Sequence, residues 1–318
     1  MPSPQPVSHQ KQQSSSRLLM IRPACFTFNL ETAISNAFQN KTYASANEEL
    51  QQQALTEFNT MIQQIKDLGI HVDVIDDTNT PVKPDAIFPN NWISTHSDGT
   101  IILYPMLAES RRLERRKDIV DQLCKMYYVT AIIDLSCFEK RNMFLEGTGS
   151  LVLDRQNGLA YAIRSPRTHE QPLKKFEQLT GYKVILFDSV DQDNRPIYHT
   201  NVMMTIGTNI AIICLSSIID ENQRSEVVNW LKQTNKIIVD ITFEQMNKNF
   251  AGNMLEICND DGKKYLAMSK CAFQSLNEEQ IKIITQQENL TIVNFDINTI
   301  EQCGGGSVRC MIAENFLI

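Results

Sequence analysis

A turn signal typical of a β-hairpin recurs along this chain at nearly constant spacing. The five hairpins begin near Asn91, Gly149, Asn201, Asn253 and Ser307, so successive copies lie 58, 52, 52 and 54 residues apart. In the first four copies two apolar segments flank a turn rich in Asn, Asp and Gly, as in SLVLDRQNGLAYAI, which is a strong local hairpin signal. A period of this length indicates a repeat fold built from one supersecondary unit.

Each hairpin is followed by a helix-like segment and then by one more apolar segment, for example KKFEQLTG followed by YKVILFD. The N-terminal part supplies a strand (RLLMIRP), an amphipathic helix that ends at Gly69, and a second strand (HVDVIDD). The strand missing from that copy is the last one of the chain, VRCMIAENFLI. The pattern predicts an α/β fold of five ββαβ units with pseudo-fivefold symmetry. We expect a single domain over residues 17–318, closed by pairing of the N- and C-terminal strands.

The composition is that of a globular protein and excludes several partners. Hydrophobic residues make up 42% of the 318-residue chain, and the net charge of −7 argues against nucleic acid or an anionic membrane as a partner. No apolar run reaches the roughly 20 residues of a membrane span. Residues 1–16 are rich in Pro, Gln and Ser, which predicts a disordered tail. The eight cysteines have no zinc-like spacing, so most are expected to be buried free thiols in a cytoplasmic protein.

Corresponding points of the repeat are expected to meet around its axis. The segments before the hairpins are PDAIFPNN, MFLEGTG, IYHTN, NFAGN and CGGGS. They bring Asp85, Glu146 and His199 towards Cys310, which follows the fifth segment. Since a thiol with a pKa of about 8.5 needs a basic neighbour, His199 can take the proton of Cys310 and Glu146 can orient His199. The glycines at 304–306 are expected to leave backbone N–H groups and space beside the reacting carbon.

Other interpretations exist for each residue alone. A cysteine in an apolar terminal strand is more often a packing residue, and a lone histidine is more often structural. Cys303 is the rival nucleophile, but it precedes the glycines. Arg309 either helps to hold the thiolate or points outward. The combination of Cys310, His199 and Glu146 at equivalent repeat positions favours nucleophilic catalysis.

The ordered combination of LEGTG, YHTN and GGGSVRC resembles the pentein-fold guanidine-modifying enzymes, which include arginine and agmatine deiminases, dimethylarginine hydrolases and amidinotransferases. The resemblance covers essentially the whole chain after residue 16 and is strongest to the arginine-deiminase-related branch assigned to citrulline use. It implies a five-bladed α/β propeller and a hydrolase of C–N bonds other than peptide bonds. It also implies catalysis by Cys310, His199 and Glu146 without a metal or organic cofactor. Penteins of this kind often form homodimers.

The resemblance extends to residues that would bind a small amino-acid substrate. Asp85 matches a residue that holds the α-amino group in dimethylarginine hydrolases. Arg111 in SRR and Arg167 in SPRTH match residues that bind the α-carboxylate, and a guanidinium suits a carboxylate because it can bind in bidentate fashion. Arg111 also lies in the charge run RRLERRK, which is typical of a solvated helix face. That alternative is therefore stronger for Arg111 than for Arg167.

The chain departs from the family where its members bind a guanidinium. Asn90 and Asn91 stand in place of acidic residues, and Asn201 replaces the second Asp of the deiminase HxD pattern. A buried cation loses its counter-charge beside neutral amides, whereas a ureido group has an acceptor oxygen and donor nitrogens that Asn can bind. We therefore expect citrulline to be hydrolysed to ornithine, ammonia and CO2 through an S-carbamoyl intermediate.

Several alternatives stay open. Among enzymes, the alternative to a citrulline hydrolase is an arginine deiminase, an arginine dihydrolase or a dimethylarginine-type hydrolase. An amidinotransferase is less favoured, although it shares the covalent intermediate. A non-catalytic pentein-fold binding protein is also less favoured, because it has no use for the whole set of Cys, His and Glu.

Overall fold

The computed structural model describes residues 12–318 except 35, 37, 45–47 and 288. Within them, fifteen strands form five three-stranded sheets. The strands are β1 (Arg17–Arg22), β2 (His71–Asp76), β3 (Ile93–Thr95), β4 (Thr100–Leu103), β5 (Ala131–Asp134), β6 (Leu151–Asp154), β7 (Leu159–Ile163), β8 (Lys183–Phe187), β9 (Met204–Ile206), β10 (Ile210–Ile213), β11 (Ile237–Asp240), β12 (Leu255–Cys258), β13 (Lys264–Ser269), β14 (Leu290–Phe295) and β15 (Ala313–Glu314).

The helices differ widely in length. They are α1 (Leu30–Ala33), α2 (Glu48–Asp67), α3 (Glu109–Arg112), α4 (Lys117–Met126), α5 (Gly147–Ser150), α6 (Glu170–Thr180), α7 (Thr200–Met203), α8 (Glu221–Gln233), α9 (Phe243–Asn249), α10 (Lys270–Ser275), α11 (Glu278–Thr285) and α12 (Asn298–Gly304). In the described part of the chain, four 3₁₀ turns lie at Lys41–Ala44, Pro89–Asn91, Ser136–Arg141 and Leu215–Ser217. Within the described residues, no helix is both long and apolar enough to cross a membrane.

All five sheets share one strand order. The middle strand is antiparallel to one neighbour and parallel to the other, so that β4 pairs antiparallel with β3 and parallel with β5. The same holds for β7, β10 and β13 in their sheets. Since a parallel neighbour cannot be reached by a tight turn, a helix such as α6 separates β7 from β8. The five sheets therefore fit the five predicted ββαβ units.

The remaining sheet joins the two ends of the chain. Its middle strand β1 pairs antiparallel with β15 and parallel with β2. The predicted pairing of N- and C-terminal strands is therefore present. The predicted last strand is largely wrong, because β15 has only two residues and Cys310 lies in the turn before it. This turn begins after α12 ends at Gly304, and the Cys310 N–H donates to the carbonyl of Ser307 at 2.9 Å.

The hydrophobic core lies between successive sheets. One cluster joins β1 to β3 through Leu19 and Ile93, and another joins β4 to β7 through Ile102 and Ala162. A third contains the buried stripe of α2 together with residues of β1, β12 and β13. That stripe follows the predicted helical spacing; its buried members are Leu50, Ala54, Phe58, Met61, Ile62 and Ile65. The largest cluster covers the sheets of β6 to β14.

The N-terminal segment differs from the expectation of a tail over residues 1–16. Residues 12–16 pack onto the sheets, and Gln13 is only 5% exposed. Its Nε2 donates to the carbonyls of Leu153 and Ile206 at 2.9 and 3.2 Å, which satisfies main-chain groups of two sheets. The predicted disorder is therefore wrong for residues 12–16. Residues 1–11 lie outside the described part of the chain.

The eight cysteines are all free, as predicted. Burial holds for only half of them, since Cys124 and Cys137 are exposed and Cys25 and Cys271 are partly exposed. The buried cysteines are Cys214, Cys258, Cys303 and Cys310.

Candidate active site

A small cavity, with an empty volume of about 280 Å³, brings together most of the predicted site residues. Its lining includes Asp85, Asn91, Arg111, Arg167, His199 and Cys310. Two predicted residues do not line it. Glu146 is fully buried behind His199, and Asn90 is fully buried as well.

Glu146 and His199 occupy equivalent positions, each immediately before a one-turn helix (α5 and α7). Their side chains meet, with His199 Nε2 at 2.8 Å from Glu146 Oε2. Burial lowers the pKa of His199 to about 4, although the hydrogen bond to Glu146 opposes this change. The imidazole is therefore neutral near pH 7. It donates its Nε2 proton to Glu146 and leaves Nδ1 as the basic nitrogen.

Arg167 completes the surroundings of Glu146. Its Nη1 lies 3.3 Å from Glu146 Oε2, and its guanidinium stacks on the ring of Tyr198 at 4.6 Å. Glu146 Oε1 accepts the backbone N–H of Leu107 at 3.0 Å. Burial by itself would raise the pKa of Glu146, but Arg167 and His199 outweigh it and hold the pKa well below its usual range. Glu146 is therefore a carboxylate that can stabilise an imidazolium at His199.

Two side-chain amides contact the sulfur of Cys310. Asn253 Nδ2 lies 3.3 Å and Asn201 Nδ2 lies 3.4 Å from Cys310 Sγ. Arg309 is buried next to Cys310 and interacts with it electrostatically, while its Nη2 lies 3.4 Å from Glu314. Sequence reasoning did not assign Asn253 to the site. Its position at a hairpin start, matching that of Asn201, is the signal that could have identified it.

Glycine is required where the backbone passes close to this site. Gly305 has a φ of +64°, a conformation that other residues rarely adopt. A Cβ on Gly149 would lie 2.3 Å from Asn91 Nδ2 and 2.9 Å from the ring of His199. The small residue at position 149 therefore lets the amide and the imidazole approach one another.

Asp85 is held with one oxygen unused. Its Oδ2 accepts hydrogen bonds from Asn29 Nδ2 at 2.8 Å and from Thr32 Oγ1 at 3.2 Å. Its Oδ1 is buried without a partner among the described residues. Burial raises the pKa of Asp85, and Arg111 partly offsets this effect. The arrangement leaves one carboxylate oxygen for a donor such as an ammonium group.

Arg111 is buried rather than solvated, so the charge-run interpretation is wrong for it. Its Nε and Nη2 bind both oxygens of Glu114 at 2.9 Å, and its Nη1 donates to Asn91 Oδ1 at 2.7 Å. Burial raises the pKa of Glu114 to about 7, although Arg111 opposes this change. Since Glu114 occupies the bidentate edge of Arg111, the arginine orients Asn91 in this structure. Binding of a substrate carboxylate would require that pair to rearrange.

Several amide atoms around the site lack partners among the described residues. They are both side-chain polar atoms of Asn90, Nδ2 of Asn91 and Oδ1 of Asn201. Buried polar atoms of this kind are normally satisfied, so the site has unused capacity to donate and accept hydrogen bonds. No group of three or more His, Cys, Asp or Glu side chains in the described part of the chain could hold a metal ion.

Comparison with solved structures supports the fold. The chain is similar to ArgZ, an arginine dihydrolase from the ornithine–ammonia cycle in Cyanobacteria, with 16% identity, a TM-score of 0.72 and 93% of this chain covered. It spans 40% of that longer chain, but 99% of the substrate-bound N-terminal domain of ArgZ, with 15% identity, 95% of this chain covered and a TM-score of 0.72. A dimethylarginine dimethylaminohydrolase adduct with S-methyl-L-thiocitrulline is also similar, with 13% identity, a TM-score of 0.62, and 95% and 100% of the two chains covered.

The family is shown by sequence. No curated protein sequence matches the chain. The family model of eukaryotic N,N dimethylarginine dimethylhydrolase matches residues 22–317, which is nearly the whole described chain. The chain therefore belongs to the eukaryotic N,N-dimethylarginine dimethylhydrolase family of pentein hydrolases, which act on C–N bonds of amidino compounds.

Proposed function

We propose that this protein hydrolyses the ureido group of citrulline, with Cys310 as nucleophile. One observation carries this proposal. Among the described residues, no carboxylate makes a polar contact with the sulfur of Cys310. The sulfur is contacted by the amides of Asn201 and Asn253. Glu146, the carboxylate next to His199, is already bound by Arg167 and by the Leu107 N–H. A neutral ureido group fits such surroundings better than a guanidinium cation.

Two charged groups favour an α-amino acid as the substrate. Asp85 has a free oxygen for the α-ammonium group, and Arg167 lines the same cavity as a partner for the α-carboxylate. Arg111 is assigned to the orientation of Asn91, and Asn91 Nδ2 then has a hydrogen available for the ureido oxygen. Asn90, which does not line the cavity, is assigned a supporting role beside Asn91.

The proposed reaction has two steps. Cys310 gives its proton to His199 Nδ1, and the thiolate attacks the ureido carbon. The C–N bond to ornithine or to ammonia breaks as His199 returns the proton to the leaving nitrogen. Water activated by neutral His199 then cleaves the S-carbamoyl intermediate, which ends as CO2 and the second amine. Glu146 stabilises the imidazolium that forms in each step.

A second candidate is supported by the structural comparison. ArgZ is named an arginine dihydrolase, and the chain covers almost all of its N-terminal domain. Arginine would then lose one nitrogen to give citrulline and a second to give ornithine, through the same cysteine. This candidate requires the site to accept a guanidinium as well as a ureido group.

Separate incubations distinguish these functions. The protein is given citrulline, arginine or N,N-dimethylarginine, and ornithine, citrulline, ammonia and dimethylamine are quantified, with Cys310→Ser as the inactive control. We expect ornithine from citrulline at the highest kcat/KM. Turnover of arginine to citrulline without attack on citrulline would refute the ureido preference, and ornithine from both would favour the dihydrolase.

We also propose that the five sheets close into one five-bladed propeller domain. The supporting observation is that neighbouring sheets are joined by hydrophobic clusters, including the first and last sheets through Leu18 and Tyr265. The expected homodimer and cytoplasmic location stay predictions.

A further inference from the structure

We propose that Asn201 and Asn253 are positioning residues that hold the sulfur of Cys310 and stabilise its thiolate. The inference rests on the proposed role of Cys310 as nucleophile. It assigns the direct hydrogen bonds to the sulfur to two neutral amides, which act in addition to the nearby charge of Arg309.

The orientation of the Asn253 amide follows from its second contact. Its Nδ2 donates to the main-chain carbonyl of Asn201 at 3.0 Å and to Cys310 Sγ at 3.3 Å. Since a carbonyl oxygen only accepts, the atom that faces it must be the amide nitrogen, and the other hydrogen of that nitrogen is then directed to the sulfur. Asn253 is 1% exposed, so the contact is shielded from solvent.

Asn201 supplies the second donor. Its Nδ2 lies 3.4 Å from Cys310 Sγ, and the residue is also 1% exposed. Together with Asn253, it gives the sulfur two N–H donors from adjacent repeat units. Hydrogen bonds to the charged form of a group favour that form, and here the charged form is the thiolate. The protonated thiol is also accommodated, because Asn253 Oδ1 lies 3.6 Å away as an acceptor for S–H.

Two titratable groups nearby, Arg309 and Tyr198, interact with Cys310 electrostatically, but among the described residues neither donates a hydrogen bond to its sulfur. Arg309, the neighbour of Cys310 in sequence, donates to the carbonyl of Ile312 and lies beside Glu314. His199 donates to Glu146, and its remaining nitrogen is an acceptor when the ring is neutral. Among the described residues, the hydrogen-bond donors on Cys310 Sγ are therefore the two amides.

The titration of Cys310 tests this proposal without substrate. The rate of iodoacetamide alkylation at Cys310 is measured by peptide mass spectrometry as a function of pH in the full-length protein. Loss of one donor, in Asn201→Ala or Asn253→Ala, is expected to slow alkylation at pH 7 by about tenfold and to move the profile to higher pH, because hydrogen bonds to charged groups are the strong ones. Asn229→Ala, on the exposed face of α8, is the matched control and should leave the profile unchanged.

Asn253→Asp separates this role from a purely structural one. It keeps the shape of the side chain but replaces the donor with a carboxylate, so the profile should move further to high pH than in Asn253→Ala. If Asn253→Ala does not fold, Asn253→Asp still tests whether Asn253 stabilises the thiolate of Cys310. A purely structural role would reduce thermal stability without moving the titration. An unchanged profile in folded Asn201→Ala and Asn253→Asp would overturn the proposal, and failure of citrulline turnover would leave this measurement unaffected.

Discussion

His199 Nε2 and Glu146 Oε2 lie 2.8 Å apart, although 53 residues separate them in sequence. Both side chains are almost completely buried, and they belong to adjacent repeat units. This contact fixes which imidazole nitrogen is protonated and which one is free to take a proton. The contact between two repeat units therefore orients the His199 imidazole.

Replacing Glu146 with Gln is expected to reduce kcat by about 10²-fold or more, because the amide oxygen can accept a hydrogen bond from Nε2–H but carries no charge to stabilise an imidazolium. KM should change less than kcat, since Glu146 does not line the cavity and reaches the substrate only through Arg167. Steady-state kinetics with citrulline measure both parameters. Glu226→Gln, at an exposed position of α8, is the control, and wild-type kcat in Glu146→Gln would contradict the assigned role.

The acid limb of the pH profile of kcat should reflect the protonation of His199. Because burial lowers the pKa of His199 to about 4, the base stays neutral down to that pH, and the acid limb of kcat that reflects His199 should lie near pH 4. The unfolded chain, with a histidine pKa of 6.5, binds more protons than the folded chain between pH 6.5 and 4. Stability should therefore fall as the pH decreases through this range. An acid limb in kcat near pH 6.5 would contradict a buried neutral imidazole.

Gly149→Ala is expected to abolish most of the activity while the protein still folds. The new Cβ would meet Asn91 Nδ2 and the His199 ring at distances that Cβ atoms do not tolerate. Gly158→Ala is the comparison, since its Cβ would meet nothing within 4 Å and only its φ of +64° opposes the change, by about 1–2 kcal/mol. Citrulline turnover and thermal unfolding are measured for both. Full activity in Gly149→Ala would show that the close approach is unnecessary.

Glu301→Gln is expected to stabilise the protein more at pH 8 than at pH 5. Burial raises the pKa of Glu301 from 4.5 to about 7, while hydrogen bonds such as that from Ser307 at 2.5 Å oppose the shift. Between these values the folded chain binds more protons than the unfolded chain, so stability decreases as the pH rises. The difference in the free energy of unfolding between Glu301→Gln and wild type should grow by about 3 kcal/mol from pH 5 to pH 8.

Urea unfolding at the two pH values measures the free energy of unfolding for Glu301→Gln and wild type. Glu226→Gln controls for the loss of a surface charge. A difference from wild type that is the same at both pH values would show that Glu301 does not titrate in this range.

Local sequence signals were sufficient to predict the hairpin repeat and to bring His199 and Cys310 towards one site. Turn residues and apolar alternation predicted the hairpins to within two or three residues of the first residues of β3, β6, β9 and β12. Because equivalent positions of a repeat adopt similar places, the same pattern also predicted that His199 and Cys310 would share a site. The cavity contains both residues.

Side-chain partners could not be obtained in this way, because they depend on packing between units. The pairing of Arg111 with Glu114, which leaves the arginine to orient Asn91, contradicts the solvated face that its charge run predicts. The approach of Asn253 to the sulfur likewise depends on the angle between repeat units.

The sequence alone was enough to predict the five-unit repeat and the approach of His199 to Cys310, since both follow from local periodicity and residue type. The tertiary structure was needed to place Cys310 in a turn and to direct two amides at its sulfur. The local free-energy difference between a turn and a strand, or between two orientations of an amide, is small. The packing of the surrounding residues therefore decides which one is adopted.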